Sequence, residues 1–168
     1  MKKENNIKDL LDKPIDKRKA GAIFQFTLLP LVLVLIDQLT KLFVASNMKE
    51  NAVIRVIPGL FIINYVLNKG AALGIFENKT LFLIILSSLM IMFIYVIAFQ
   101  DFKIGHTIIP EMVIVGGALG NLLDRLFFSG AVRDFLEVPF FAVMNFADWF
   151  VSVGIALLVI KYLYHLSK

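Results

Sequence analysis

Residues 80–99 read TLFLIILSSLMIMFIYVIAF, twenty positions without a single charge. A helix needs roughly 20 mostly apolar residues to cross a bilayer. This run is apolar all round, so it has no face to turn toward water. Three other stretches approach the same length, at about 22–45, 108–127 and 147–163. Together the four take about half of the chain, which leaves only short connections between them. The expected fold is therefore an all-α membrane protein with four transmembrane helices.

The first stretch follows basic residues, as a secretory signal would. Its apolar part is far longer than the roughly 7–15 residues of such a signal, and it carries Asp37 and Lys41. A retained helix is expected there. The organisation read from the sequence is a basic tail over 1–20, then one membrane domain over 21–168. The whole chain is 59% hydrophobic and 18% charged, with a mean hydropathy of +0.82. Soluble domains run about 45–50% apolar and about 25% charged. Those values exclude a soluble domain, a disordered tail and a collagenous rod. The absence of cysteine excludes thiol nucleophiles, disulfides and thiolate-held metals. The two histidines, His106 and His165, leave little for a metal centre, and no cofactor is expected.

Lysine and arginine are commoner in cytoplasmic loops. Four spans put residues 1–20, the 101–107 turn and the C-terminus on one side, with ten basic residues. The other side has five: Lys49, Arg55, Lys69, Lys79 and Arg133. Both termini are therefore expected in the cytoplasm. The outward segments are then 46–79 and 128–146. In the first, residues 52–57 and 60–66 are rich in Val, Ile, Phe and Tyr and flank Pro58-Gly59. That is a strand–turn–strand signal, and its apolar content suggests a small sheet at the membrane surface.

Ionisable side chains within hydrocarbon are costly, so they carry the information. Asp37 and Lys41 are one helical turn apart and able to pair; a structural ion pair is the simpler reading. Gly116 and Gly120 stand four apart, a spacing that lets another helix approach closely. Asn121, Asp124 and Arg125 then share one face, either as a packing motif with a neutralised Asp–Arg pair or as donors aimed into a cleft. Glycine packing does not require that polar trio, which favours the cleft.

The second outward segment presents Arg133-Asp134, and fourteen residues after Asp134 comes Asp148. Asn145 is placed to cap the last helix, with Asp148 in its first turn, where the macrodipole favours a carboxylate. Capping and a solvated loop would account for Asp148 and Asp134 separately. If Asp134 begins a turn back toward the last helix, however, the two carboxylates face each other. Close carboxylates share a proton. One then activates water, and the other polarises a carbonyl and protonates a leaving nitrogen.

In these motifs the chain resembles the lipoprotein signal peptidases, or signal peptidase II, of bacterial membranes. The match runs through Asp37-Gln38-Leu39-Thr40-Lys41, Asn68-Lys69-Gly70-Ala71-Ala72, the stretch from Gly117 to Arg125, Asp134-Phe135 and Asn145-Phe146-Ala147-Asp148. The resemblance implies a four-helix enzyme of the bacterial cell (inner) membrane with an extracytoplasmic β-cradle and an outward-facing site. Its implied substrate is a prolipoprotein, cut just before a cysteine carrying diacylglycerol. Asp134 and Asp148 match the catalytic aspartates; Asn68, Asn121, Arg125 and Asn145 match substrate-binding positions; Asp37, Lys41, Gly70 and Asp124 match supporting ones. The antibiotic globomycin occupies this site in the family. Neither metal nor nucleic acid is implied; membrane lipid is the surroundings, and a monomer is expected.

Three departures stand out. Arg133 occupies a position usually apolar in the family and would favour an ionised Asp134. The Arg125 to Asp134 spacing is one residue longer than common, and Trp149 stands where a small residue is frequent. Among the alternatives, prepilin- or presenilin-type proteases need a Gly-x-Gly-Asp motif that is absent here. A rhomboid-like serine protease needs a histidine in the cleft. A transporter bundle would conduct protons or cations through Asp37, Asp124, Asp134 and Asp148, but these acids gather toward the outer side. A purely structural packing protein leaves the asparagines without a role.

Overall fold

Four helices and a four-stranded sheet make up the computed structural model, which describes residues 21–22, 24–57, 59–70, 79–138 and 142–168. The tail 1–20 and the Ala71-Ala72 portion of the second motif lie outside the described residues. A π-helical turn, Phe24–Leu28, leads into α1 (Leu29–Asn47), with Pro30 in its first turn. Proline is tolerated there because its missing N–H would have had no intrahelical partner. Next come β1 (Val53–Ile57), β2 (Phe61–Asn68), α2 (Thr80–Lys103) and α3 (Ile109–Phe127). The chain closes with β3 (Val132–Glu137), β4 (Val143–Met144) and α4 (Phe146–Leu166).

Among the described residues, three helical segments are long and apolar enough to span a bilayer: Phe24–Asn47, Thr80–Lys103 and Phe146–Leu166. The sequence predicts four. The helix outside this set is α3, which holds Glu111, Asp124 and Arg125 within nineteen residues. Its position in the bundle explains the difference. It packs against α1, α2 and α4 and buries Met112, Ile114, Val115 and the glycines 116, 117 and 120. A helix surrounded by protein needs fewer lipid-compatible side chains than one on the perimeter. By contrast, α2 leaves Leu81, Met92 and Phe93 mostly exposed.

Close approach depends on the α3 glycines. A Cβ on Gly120 would stand 2.5 Å from an Asp37 carboxylate oxygen and 3.2 Å from Ala147 Cβ. On Gly116 it would meet Leu33 Cβ at 2.8 Å. The 2.5 and 2.8 Å contacts are too short for any side chain, so α1 lies against bare backbone. The expected small-residue face is present, and it receives α1.

The sheet is antiparallel in the order β1-β2-β3-β4. Its first hairpin matches the predicted strand–turn–strand, with Gly59 at φ +74° in the turn, a left-handed conformation that glycine adopts without strain. No strand is expected over 128–146, yet β3 lies there, and five of its six residues are buried. Asp134 therefore sits within a strand rather than at the start of a turn. Tyr65, Phe135, Leu136 and Val44 form the small core that fastens the sheet to α1. A second core, including Ile94, Ala98, Met112 and Val115, fills the space between α2 and α3.

Candidate active site

On α1 the buried residues Pro30, Asp37, Lys41 and Val44 fall at helical spacing, giving one inward stripe. The predicted Asp37–Lys41 pair forms at 2.8 Å with both side chains fully buried. Asp37 also accepts from the Ala147 N–H at 3.0 Å. That amide belongs to the first turn of α4, where N–H groups lack helical partners and an anion is favoured. Asp37 thereby ties α1 to the start of α4.

Asp124 is fully buried and does not pair with its neighbour Arg125, as a local Asp–Arg pair would require. Its carboxylate accepts from Arg133 Nη2 at 2.7 Å, Arg133 Nε at 3.2 Å and the Arg133 backbone N–H at 2.9 Å. Gln38 donates to it at 3.0 Å, and Lys41 lies 3.5 Å away. The expectation that Arg133 would act on Asp134 is corrected here. Successive strand side chains point to opposite faces, so the guanidinium meets Asp124 and Gln38 while Asp134 faces the other way.

On that other face, register selects the contacts. Val66 opposes Asp134 and Asn68 opposes Val132 across β2 and β3, so Asn68 is diagonal to Asp134 on one face. Asn68 donates to Asp134 Oδ2 at 2.9 Å, and Asn145 donates to Asp134 Oδ1 at 2.6 Å. Asn145 also caps α4 as predicted. Its side chain accepts from the Asp148 N–H at 3.1 Å, and its own N–H donates to Asp148 Oδ2 at 3.1 Å, a reciprocal capping box. Asn121 donates to Asp148 Oδ1 at 2.8 Å and accepts from Lys41 and Asn145, both at 3.0 Å. The two aspartates are thus linked through Asn145 and Asn121. Arg125 reaches the Gly70 carbonyl at 3.2 Å and lies within electrostatic reach of both aspartates.

Asp134 is only 2% exposed. Burial, reinforced by the charge of Asp148, raises its carboxyl to about 7, against hydrogen bonds from Asn68 and Asn145 that favour the ionised form. Such a group holds a proton near neutrality and can both give and take one.

All ten residues singled out in the sequence lie in this connected network or in the ion-pair layer behind it. Two members were not singled out. Gln38 lies inside a recognised motif, but nothing in its spacing shows that it bridges Asp124 and Arg133. Arg133 was noted only as a departure. A separate buried cluster lies at the opposite end of the bundle, where Lys161 pairs with Asp101 at 2.6 Å and with Glu111. Beside it, His106 and His165 stack with ring centroids 3.9 Å apart, away from Asp134 and Asp148 as expected.

Two solved structures, each described as a bacterial membrane enzyme determined by the in meso method, share the fold. One, at 2.3 Å resolution, aligns with a TM-score of 0.74 and 29% identity over 83% of this chain and 88% of its own. The other, at 1.9 Å, aligns with a TM-score of 0.69 and 29% identity over 81% and 90%. Fold and site together define a membrane enzyme. A family model described as Signal peptidase (SPase) II matches residues 29–164. Lipoprotein signal peptidases from Halothermothrix orenii and Fusobacterium nucleatum subsp. nucleatum are similar to it. The first is 37% identical over 82% of this chain and 94% of its own; the second is 33% identical over 94% and 98%. The chain belongs to the signal peptidase II family and is a protease of that family. The transporter alternative finds no support among these relatives.

Proposed function

We propose that Asp134 and Asp148 are the catalytic pair of a lipoprotein signal peptidase, removing the signal peptide from a prolipoprotein before its diacylglyceryl cysteine. The observation that carries this is Asn145, which hydrogen-bonds to both carboxylates at once. With Asp134 raised to about 7, it is assigned the shared proton and Asp148 the role of base. Asp148 takes a proton from water as the water oxygen attacks the scissile carbonyl carbon. Asp134 gives its proton to the carbonyl oxygen. The tetrahedral gem-diol then collapses: the proton held by Asp148 goes to the leaving nitrogen, the C–N bond breaks, and one hydroxyl returns its proton to Asp134 as the new carbonyl forms.

Asn68, Asn121, Arg125 and Asn145 are assigned to hold the extended peptide, with Asp37, Lys41, Gly70 and Asp124 supporting them. A mainly apolar groove of about 350 Å³ between α2, α3 and α4, lined by Leu86, Met90, Ile94 and Ile155 and reaching Arg125, suits the apolar part of such a substrate. In this reading α3 is a fourth span. Both termini are cytoplasmic, the sheet faces outward, and a single copy in the bacterial cell (inner) membrane suffices. Single Asp134→Asn and Asp148→Asn variants, incubated with a diacylglyceryl-modified prolipoprotein, test it. Each is expected to lose cleavage while remaining folded. Normal cleavage by either would remove that residue from the pair.

A further inference from the structure

We propose that Arg133 is a positioning residue for Asp134, locking β3 to α1 and α3 so that the next side chain along the strand enters the site. The inference rests on the catalytic reading of Asp134. Asp124 grips residue 133 twice, accepting from its backbone N–H at 2.9 Å and from its guanidinium at 2.7 and 3.2 Å. Gln38 on α1 accepts from the same guanidinium at 2.9 Å. The Phe128 ring lies 3.7 Å from its central carbon, a cation–π contact. Arg133 is 2% exposed.

Two features make this clamp specific. The link from α3 to β3 is short and turns through Ser129 and Gly130, both at positive φ, so a contact nine residues apart closes it. Charge also balances: the layer holds two carboxylates, Asp37 and Asp124, against two cations, Lys41 and Arg133. A lysine at 133 would restore the charge but not the planar fork that spans both Asp124 oxygens. Because strand side chains alternate, fixing residue 133 on one face fixes residue 134 on the other.

The test measures kcat, KM and thermal midpoint for Arg133→Leu and Arg133→Lys on a diacylglyceryl-modified prolipoprotein, alongside Asp134→Asn. Per folded molecule, Arg133→Leu is expected to lower kcat by about tenfold or more with KM within about twofold, since misplaced catalytic groups lose turnover before binding. Arg133→Lys is expected to fall between that variant and the wild type. Wild-type kcat per folded molecule in Arg133→Leu, or a change confined to KM, overturns the inference. If Arg133→Leu does not fold, wild-type kcat in Arg133→Lys overturns it instead. An inactive Asp134→Asn beside a fully active Arg133→Leu removes the positioning role alone; an active Asp134→Asn removes the catalytic reading and this inference with it.

Discussion

The side-chain amide of Asn145 donates to Oδ1 of Asp134 at 2.6 Å, joining the N-cap of α4 to the buried strand β3. Its backbone N–H meanwhile holds Asp148, so one residue orients both acids. Asn145→Ala removes an aligned donor and an N-cap together. The expected result is a fall in kcat of about 100-fold, the scale of losing one preorganised donor. Thermal denaturation should show a stability loss of about 1 kcal/mol from the lost cap.

Asp134 also makes stability depend on pH. Its folded-state value is raised from 3.8 to about 7, so the folded protein retains a proton that the unfolded chain has released. The associated stability is fully present below the unfolded value and is lost as pH rises through about 7. Asp134→Asn cannot titrate there. Melting temperatures measured from pH 4 to 8 should therefore show wild type losing ground relative to Asp134→Asn as pH rises, with most of the change complete just above 7. A constant difference across the range would contradict this.

Lys41 tests the ion-pair layer. It is fully buried against Asp37 and Asp124 and donates to Asn121. Lys41→Met leaves two buried carboxylates sharing one cation, and breaking a buried pair costs about 3–5 kcal/mol. Equilibrium unfolding in detergent should report a loss of that size. A loss below about 1 kcal/mol would mean that the layer behaves like an exposed pair.

Gly120 tests helix approach. Alanine gains about 1 kcal/mol in helix propensity, but its Cβ would lie 2.5 Å from the Asp37 carboxylate. Overpacking of that kind costs about 1–3 kcal/mol, and it pushes on the group that holds the first turn of α4. Gly120→Ala should lower the melting temperature despite its better propensity. An unchanged or higher value would show that α1 shifts freely.

Much of this architecture was legible because lipid simplifies the code. The uncharged run at 80–99 reads as α2, and the Asp37–Lys41 spacing reads as a pair, since helical neighbours are local in sequence. The hairpin around Gly59 is legible for the same reason. Strand β3 was hidden because Arg133 and Asp134 look like a solvated loop until Asp124, Gln38, Asn68 and Asn145 arrive from four other segments. Likewise, Asp124 sits beside Arg125 in sequence but takes its cation from β3. Lys161, counted as a topology-setting charge, is buried against Asp101 and Glu111. Local spacing finds local partners, and tertiary ones need the fold.

That Asp134 keeps its proton to near neutrality is tested most directly by infrared titration of the protonated carboxyl band in wild type and Asp134→Asn between pH 4 and 9. A band that disappears with a midpoint near 7 in the wild type and is missing from Asp134→Asn is the predicted result. A wild type in which every carboxyl band has already gone by about pH 5, as for ordinary aspartates, would contradict it.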